Sequence, residues 1–129
     1  MKQQAIHEAA VEAEQGMLTF PQVVQKLLAI GVESYFVDFA AGQKTHHLVD
    51  GTVAVVPMIL DAGSIAVEFD QAALVAAIRG AQAGTVRYPE FVKRATDAGV
   101  IGYWAFLTGK RVIYFGRKGE QHVEEFPRA

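Results

Sequence analysis

The stretch Gly16-Met-Leu-Thr-Phe-Pro21 returns in the second half of the chain as Gly84-Thr-Val-Arg-Tyr-Pro89. We call the spacing of 68 residues between Gly16 and Gly84 the repeat offset. At this offset residues 3–35 align with residues 71–103 without a gap, and ten of these 33 positions are identical. A repeat longer than half of the chain decides the architecture, because each copy is one supersecondary unit. The pattern predicts two halves built alike, and it does not by itself point to a function.

Each half begins with two predicted helices. Apolar side chains recur at helical spacing within residues 6–13 and 74–81, and their many alanines indicate close helix packing. The start of the second helix is predicted from Thr19 and Gln22, which form the pattern of a capping box. In the second half Arg87 stands in place of Thr19, so a weaker cap is predicted there. Glycines that can adopt positive φ are predicted to end the helices at Gly16, Gly31, Gly84 and Gly99.

Three strands are predicted after the helices of each half, at residues 32–40, 44–49, 52–56, 100–107, 111–115 and 120–126. Turns at Gly42, Asp50-Gly51, Thr108-Gly109 and Lys118-Gly119 separate them. In this alignment the second copy loses one residue near its first turn, so Lys44 matches Arg111. We interpret these two cations as a solvated rim rather than an anion clamp.

The predicted fold class is α+β, with an internal duplication of an α-α-β-β-β unit, antiparallel sheets with helices packed on them and pseudo-twofold symmetry. One domain is predicted over residues 1–129, with halves at about 1–56 and 69–126 and a connector at 57–68, where Ile65–Phe69 is a candidate extra strand. Both faces of the first strand of each half are apolar, unlike a sheet with one wet face. We therefore expect the other half to cover the second face, with a dimer partner as the alternative.

Composition excludes several classes of protein. The chain contains no cysteine, which excludes disulfides, a thiolate nucleophile and a thiolate metal site, and it contains no asparagine. No apolar run approaches the roughly 18 residues needed to span a membrane, and the polar N-terminus lacks the core of a signal peptide. We predict a cytoplasmic protein without a cofactor and without a membrane partner.

Charge is distributed unequally between the halves. Residues 1–68 carry 3 basic and 8 acidic side chains, a net charge of −5, whereas residues 69–129 carry 9 and 6, a net charge of +3. Opposed potentials favour pairing of the two halves, within the chain or between chains. The alternative is a nucleic-acid interface, disfavoured because the whole chain is acidic and no recognition motif is present. Its phosphate contacts would come from Arg87, Lys93, Arg94, Lys110, Arg111, Arg117 and Lys118.

Four strings carry a family resemblance: residues 20–38 followed by Lys44-Thr45, residues 88–91, residues 98–103, and the ending from Tyr114 to Glu124. Together they resemble a bacterial family of unknown function whose members are often labelled phage envelope protein. The resemblance covers nearly the whole chain and implies no activity, cofactor or catalytic residue. Members of that family tend to have Tyr-Tyr in place of His46-His47, which argues against an essential histidine there.

Asp38 is the least expected residue, a carboxylate within an aromatic strand. A hairpin that turns at Gly42 would set Asp38 opposite Thr45 and diagonal to His47, giving a polar patch on one face. A buried carboxylate of this kind marks a functional site, whereas an exposed one is only the polar position of an alternating strand. No metal-ligand spacing is present, so no metal site is predicted.

Two functions are carried forward. The first is a small, non-catalytic binding or interaction module that self-associates, as apolar faces and opposed charges indicate. The second is a small-molecule-binding protein or enzyme with a pocket between the two halves. No catalytic residue is predicted, because the two serines lie in no nucleophile motif. Candidate ligand-binding residues are Asp38, His47, Tyr35, Tyr103, Arg111 and His122.

Overall fold

The computed structural model describes residues 2–126, which form four helices and six strands. The elements are α1 (Lys2–Glu14), α2 (Phe20–Ile30), β1 (Val32–Asp38), β2 (Gln43–Leu48), β3 (Val53–Pro57), α3 (Gln71–Gln82), α4 (Tyr88–Asp97), β4 (Val100–Phe106), β5 (Arg111–Gly116) and β6 (Gln121–Glu125). The α+β class and the order of two helices and three strands, which occurs twice, are confirmed. Within the described range no helix is both long and apolar enough to cross a membrane.

The repeat offset holds in every strand. It carries the first residue of β1, Val32, to the first residue of β4, Val100, and it carries Gln43 of β2 to Arg111 of β5. The predicted loss of one residue near the first turn is therefore wrong. Lys44 corresponds to Val112 and not to Arg111, because Lys44 pairs with Val37 just as Val112 pairs with Ala105.

The six strands form one antiparallel sheet in the order β3-β2-β1-β4-β5-β6. β1 and β4 are neighbours at its centre, where Phe36 pairs with Trp104. The expectation that one half covers the second face of the other is wrong, because the halves lie side by side in a single sheet. The four helices pack on one face, and the side chains of Val37, Val56 and Ala105 beneath them are buried.

The opposite face of the sheet carries apolar side chains without a helix over them. We call it the open face; it comprises Phe36, His47, Val55, Trp104, Phe106, Ile113, Phe115 and Val123. The Trp104 ring lies 5.4 Å from both Phe36 and Phe106, and the edge residues Val55 and Val123 are 48% and 46% exposed. A second apolar face was predicted, and within residues 2–126 nothing covers it.

The helix starts agree with their predicted caps. The Thr19 backbone N–H donates to Gln22 Oε1 at 2.9 Å, and the Gln22 N–H donates to Thr19 Oγ1 at 3.4 Å, which completes the capping box. Arg87 makes no side-chain cap at the start of α4. Asp70 caps α3 by accepting the Ala73 N–H at 3.0 Å. The starts of α2 and α4 fix where the loop that precedes each of them ends.

The connector between the halves contains no strand, so the predicted strand at Ile65–Phe69 is wrong. Its backbone makes isolated hydrogen bonds to the end of α4 instead of a ladder: Ala66 N–H donates to Thr96 O and Asp70 N–H to Ala98 O. Gly99 permits this close approach, because a Cβ there would lie 2.2 Å from Glu68 O and its φ is +86°. The connector thus packs against the second half.

Candidate functional site

A cavity of about 720 Å³ lies between the helix-facing side of the sheet and the helices. We call it the helix–sheet cavity. Its floor is formed by side chains of the central strands, and its walls by α1, α2, α3 and the start of α4. The floor residues are Tyr35, Lys44, His46, Tyr103, Val112 and Tyr114. This volume lies within the range of roughly 300–1,000 Å³ that is typical of small-molecule sites.

The repeated motif frames the mouth of the helix–sheet cavity. Residues 16–21 line it, and so do residues 83, 84 and 86–88 from the matching loop of the second half. Arg87 joins the two loops by donating from Nη1 to Gly16 O at 3.5 Å. The Phe20 ring meets Phe126 edge-on at 5.1 Å between ring centroids. The mouth therefore presents aromatic and cationic groups from both halves.

Small side chains leave the volume open. Ala9, Ala10 and Ala13 of α1 line the cavity, as does Ala81 of α3. The alanines were expected to bring helices close together. Ala9 and Ala10 are buried, and their small side chains take up less of the space between helix and sheet than larger apolar residues would.

Two tyrosine hydroxyls meet within the cavity. Tyr88, from the start of α4, and Tyr103, from β4, lie 2.8 Å apart between hydroxyl oxygens. Burial raises the pKa of Tyr35, Tyr88, Tyr103 and Tyr114, so all four remain neutral hydroxyls at neutral pH. The floor thus offers neutral hydrogen-bonding groups within an apolar enclosure.

A buried ion pair connects the cavity floor to α1. Lys44 Nζ lies 3.6 Å from Glu14 Oε1, and the side chains of Lys44 and Glu14 are 4% and 2% exposed. The other carboxylate oxygen of Glu14 accepts the N–H groups of Ile59 and Leu60 at 2.6 and 2.9 Å. Burial lowers the pKa of Lys44, and the Glu14 carboxylate opposes part of that effect. The expectation of a solvated Lys44 is wrong, since β2 turns this residue toward the helices.

His46 occupies the floor next to Lys44 on the same face of β2. Its ring stacks on Tyr35 at 5.5 Å between centroids, and its Nδ1 lies 3.4 Å from the Ala54 carbonyl oxygen, which accepts the proton on that nitrogen. Burial lowers the pKa of His46 to about 4, partly offset by the hydrogen bond to Ala54. His46 is therefore a neutral imidazole at neutral pH.

The buried Lys44–Glu14 pair has no counterpart in the second half, although Arg87, Glu124 and Glu125 of that half also line the cavity. At the matching positions of the second half, Val112 replaces Lys44 and Gln82 replaces Glu14. The two halves share their backbone plan but not this pair. A buried charge without a counterpart in the other half marks the first half as chemically specialised.

The candidate residues predicted from the sequence are divided between the two faces. Tyr35 and Tyr103 line the cavity. Asp38, His47 and Arg111 lie on the opposite side of the sheet, because their register positions alternate with those of the cavity floor. The structure therefore does not bring Asp38 and His47 together with Tyr103.

The predicted polar patch around Asp38 is not assembled. Asp38 pairs with Gln43 rather than Thr45, and His47 pairs with Ser34, which is four residues along β1 and about 13 Å from the Asp38 position. Asp38 Oδ1 accepts the Ala41 N–H at 2.9 Å, which is a turn-stabilising role.

His122 belongs to an edge network instead of the cavity floor. Its Nε2 lies 3.1 Å from Glu124 Oε1, and its Nδ1 lies 2.9 Å from Gln71 Nε2. Arg79 reaches the other carboxylate oxygen of Glu124 at 2.6 Å. These contacts tie α3 to the edge strand β6.

Most cations of the predicted nucleic-acid interface have anionic or carbonyl partners. Arg94 pairs with Glu90, Lys93 with Asp97, and Lys118 with Glu68. The Arg111 guanidinium lies 3.9 Å from Glu125. These pairs lie at the surface, where each contributes at most about 1 kcal/mol. Among residues 2–126, no group of three or more metal-ligating side chains is gathered.

Comparison with known proteins places the chain in a family. The profile described as "Protein of unknown function (DUF1398)" matches residues 8–125. The chain belongs to this family. Two DUF1398-like relatives are uncharacterized proteins of Mycobacterium tuberculosis and Mycobacterium bovis, Rv2012 and Mb2035. Each is 30% identical over 125 residues, which cover 95% of this chain and 76% of the mycobacterial chain. None of these descriptions mentions a phage envelope.

Several cavity residues of this DUF1398 protein were not among the predicted site residues: Lys44, His46, Tyr88 and Tyr114. Glu14, the partner of Lys44, was not among them either. Lys44 was expected to be exposed. The signal that finds it is the unbroken repeat offset, which equates Lys44 with the apolar Val112. Glu14 carries a weaker signal, as a carboxylate at the end of an otherwise apolar helical stripe.

Proposed function

We propose that this protein binds a small, mostly apolar molecule in the helix–sheet cavity. The observation that carries the proposal is the cavity itself: about 720 Å³, alanine-walled, with few polar groups on its floor. An apolar enclosure with a small number of placed polar groups is the usual form of a ligand site. The neutral Tyr88 and Tyr103 hydroxyls favour a ligand that carries a neutral oxygen. Binding without turnover fits this set of residues better than catalysis.

Filling the cavity tests this proposal. Ala13→Phe projects a ring from α1 into the cavity, so we expect it to abolish saturable binding of 2-naphthalenemethanol, followed by the fluorescence of the naphthyl group. Ala76→Phe is the matched control, because Ala76 is an exposed residue of α3 outside the cavity lining. Equal binding by wild type, Ala13→Phe and Ala76→Phe, with all three folded by circular dichroism, would rule out the cavity as the site.

The second proposed property is self-association through the open face, with a second copy of this chain as the occupant. The open face is aromatic at its centre and apolar at both edges. A twofold axis parallel to the strands would lay the −5 half of one copy over the +3 half of the other, so long-range charge favours that arrangement. This association would leave the helix–sheet cavity free, since the cavity lies on the other side of the sheet.

Charged substitutions at the sheet edges test the association. Val55→Lys and Val123→Lys should convert a dimer to a monomer in light scattering at micromolar concentration, because each buries a lysine against the partner. Ile59→Lys is the control, as Ile59 is 64% exposed and lies off the sheet. A wild-type protein that scatters as a monomer at every concentration would contradict this proposal.

We also propose that the two halves arose by duplication and are related by a pseudo-twofold axis. The constancy of the repeat offset supports this, and so does the pairing of Phe36 with Trp104, which are counterparts under that offset. The single domain over residues 1–129 and the cytoplasmic location remain predictions from the sequence.

A further inference from the structure

Lys44 is the most unusual side chain of the helix–sheet cavity. It is 3% exposed and lines the cavity floor at the second position of β2. Lysine is almost never fully buried without a firm partner, because its ammonium group loses its hydration. The burial of Lys44 on the cavity floor therefore calls for an explanation.

The ion pair with Glu14 is loose for a structural pair. The Nζ–Oε1 distance of 3.6 Å exceeds the roughly 2.7–2.9 Å of a charge-assisted hydrogen bond. Glu14 is already held by the N–H groups of Ile59 and Leu60 through its other oxygen. The carboxylate is thus fixed by the connector and does not depend on Lys44 for its position.

Burial favours the neutral amine of Lys44, and the Glu14 carboxylate opposes part of that effect. The other close neighbour of Nζ is the ring of Tyr88, whose centroid lies 5.1 Å away. Burial lowers the pKa of Lys44, which increases the fraction of amine that carries a free lone pair at neutral pH. Desolvated lysines in apolar pockets are the ones that attack carbonyl groups.

We propose that Lys44 captures the carbonyl group of an apolar aldehyde or ketone as an imine within the helix–sheet cavity. This inference rests on the proposed function, because it requires the cavity to admit a ligand. It adds the chemical class of that ligand and the atom that holds it.

The chemistry balances without a further reactant. The Nζ lone pair forms a C–N bond to the carbonyl carbon, the C–O π bond breaks, and the oxygen takes up the proton released from nitrogen, which gives a carbinolamine. The carbinolamine then loses its hydroxyl group and the second nitrogen proton as one molecule of water, which leaves C=N. Glu14, 3.6 Å from Nζ, is placed to carry protons between nitrogen and oxygen.

Reductive trapping tests the inference. The protein is incubated with 2-naphthaldehyde and sodium cyanoborohydride at neutral pH, and the labelled lysines are identified by peptide mass mapping over time. We expect Lys44 to be labelled several-fold faster than the exposed Lys93, whose side chain is 77% exposed. Lys44→Met and Lys44→Arg should both lose the fast label, and Lys93→Met should keep it. The arginine variant retains the charge beside Glu14 if the methionine variant does not fold.

Binding of 2-naphthalenemethanol, which has no carbonyl group, separates the two claims. If the alcohol binds in the cavity and only exposed lysines are labelled by the aldehyde, the imine is overturned and the proposed function stands. If neither molecule occupies the cavity, both claims fail. Fast labelling at Lys44 together with saturable alcohol binding by the wild-type protein that Ala13→Phe abolishes supports both.

Discussion

At the scale of single residues, burial controls the chemistry of the cavity floor. Lys44 and His46 are basic groups, and in this protein desolvation shifts the pKa of each downward. The pKa values of the tyrosines shift upward for the same reason. The result is a floor on which His46 and the tyrosines are neutral, and on which Lys44 is paired with the anchored carboxylate of Glu14. A site of this kind selects ligands by shape and hydrogen bonding more than by charge.

The pKa of His46 predicts how stability depends on pH. Its value is 6.5 in the unfolded chain and about 4 in the folded protein, so between these values the unfolded chain binds the proton more tightly. The contribution of neutral His46 is complete above pH 6.5 and is lost as pH falls toward 4. Unfolding by urea should therefore show about 2 kcal/mol less stability at pH 5 than at pH 7 from this residue.

Two variants isolate that effect. His46→Tyr removes the titrating group and installs the residue of the matching position, Tyr114, so the stability difference between pH 7 and pH 5 should shrink by that amount. His7→Tyr, at an exposed position of α1, should leave the difference unchanged. A His46→Tyr protein with the wild-type pH dependence would show that His46 is not held neutral.

At the scale of elements, the helix starts position the mouth of the cavity. The loops at residues 16–21 and 83–88 each lead into a helix with proline in its first turn. Only the first is closed by a capping box, through Thr19 and Gln22. The two sides of the mouth are thus alike in path and unequal in local stabilisation.

Removal of the Thr19 cap measures this inequality. Thr19→Ala leaves the Gln22 N–H without its side-chain acceptor and should lower the free energy of unfolding by about 1 kcal/mol. Arg87→Ser supplies the missing cap of α4 and should raise it, partly offset by loss of the Arg87 contact to Gly16 O. Thr108→Ala, in an exposed turn, is the control, and a loss there equal to that of Thr19→Ala would refute a specific cap effect.

The elements also show what the sequence could and could not predict. Glycine and proline punctuation and strand alternation located all four helices and six strands, because these signals are local. A gap of one residue in the repeat alignment matched Lys44 to the exposed Arg111 instead of the buried Val112, and a slip of one residue exchanges the faces of a strand, so Lys44 was assigned to solvent. The hairpin prediction set Asp38 opposite Thr45, which is two residues from its observed partner Gln43. Burial of the Glu14–Lys44 pair depends on contacts between distant segments, which no local pattern reveals.

At the scale of the whole molecule, the sheet separates two surfaces of different composition. One face bears the helices and encloses the cavity, with Tyr103 on its floor. The other is the open face, centred on Phe36 and Trp104. Because adjacent strand residues point to opposite sides, Tyr103 and Trp104 lie on different surfaces although they are neighbours in sequence. The proposed ligand binding and the proposed self-association can therefore be tested by separate substitutions.

That separation provides the most direct test of the central claim, which is that the cavity is the ligand site. The measurement is a set of nuclear Overhauser contacts between bound 2-naphthalenemethanol and the aromatic protons of the protein. We predict contacts to the rings of Tyr88 and Tyr103 and none to the ring of Trp104. Contacts to Trp104 without contacts to Tyr103 would place the ligand on the open face and contradict the account.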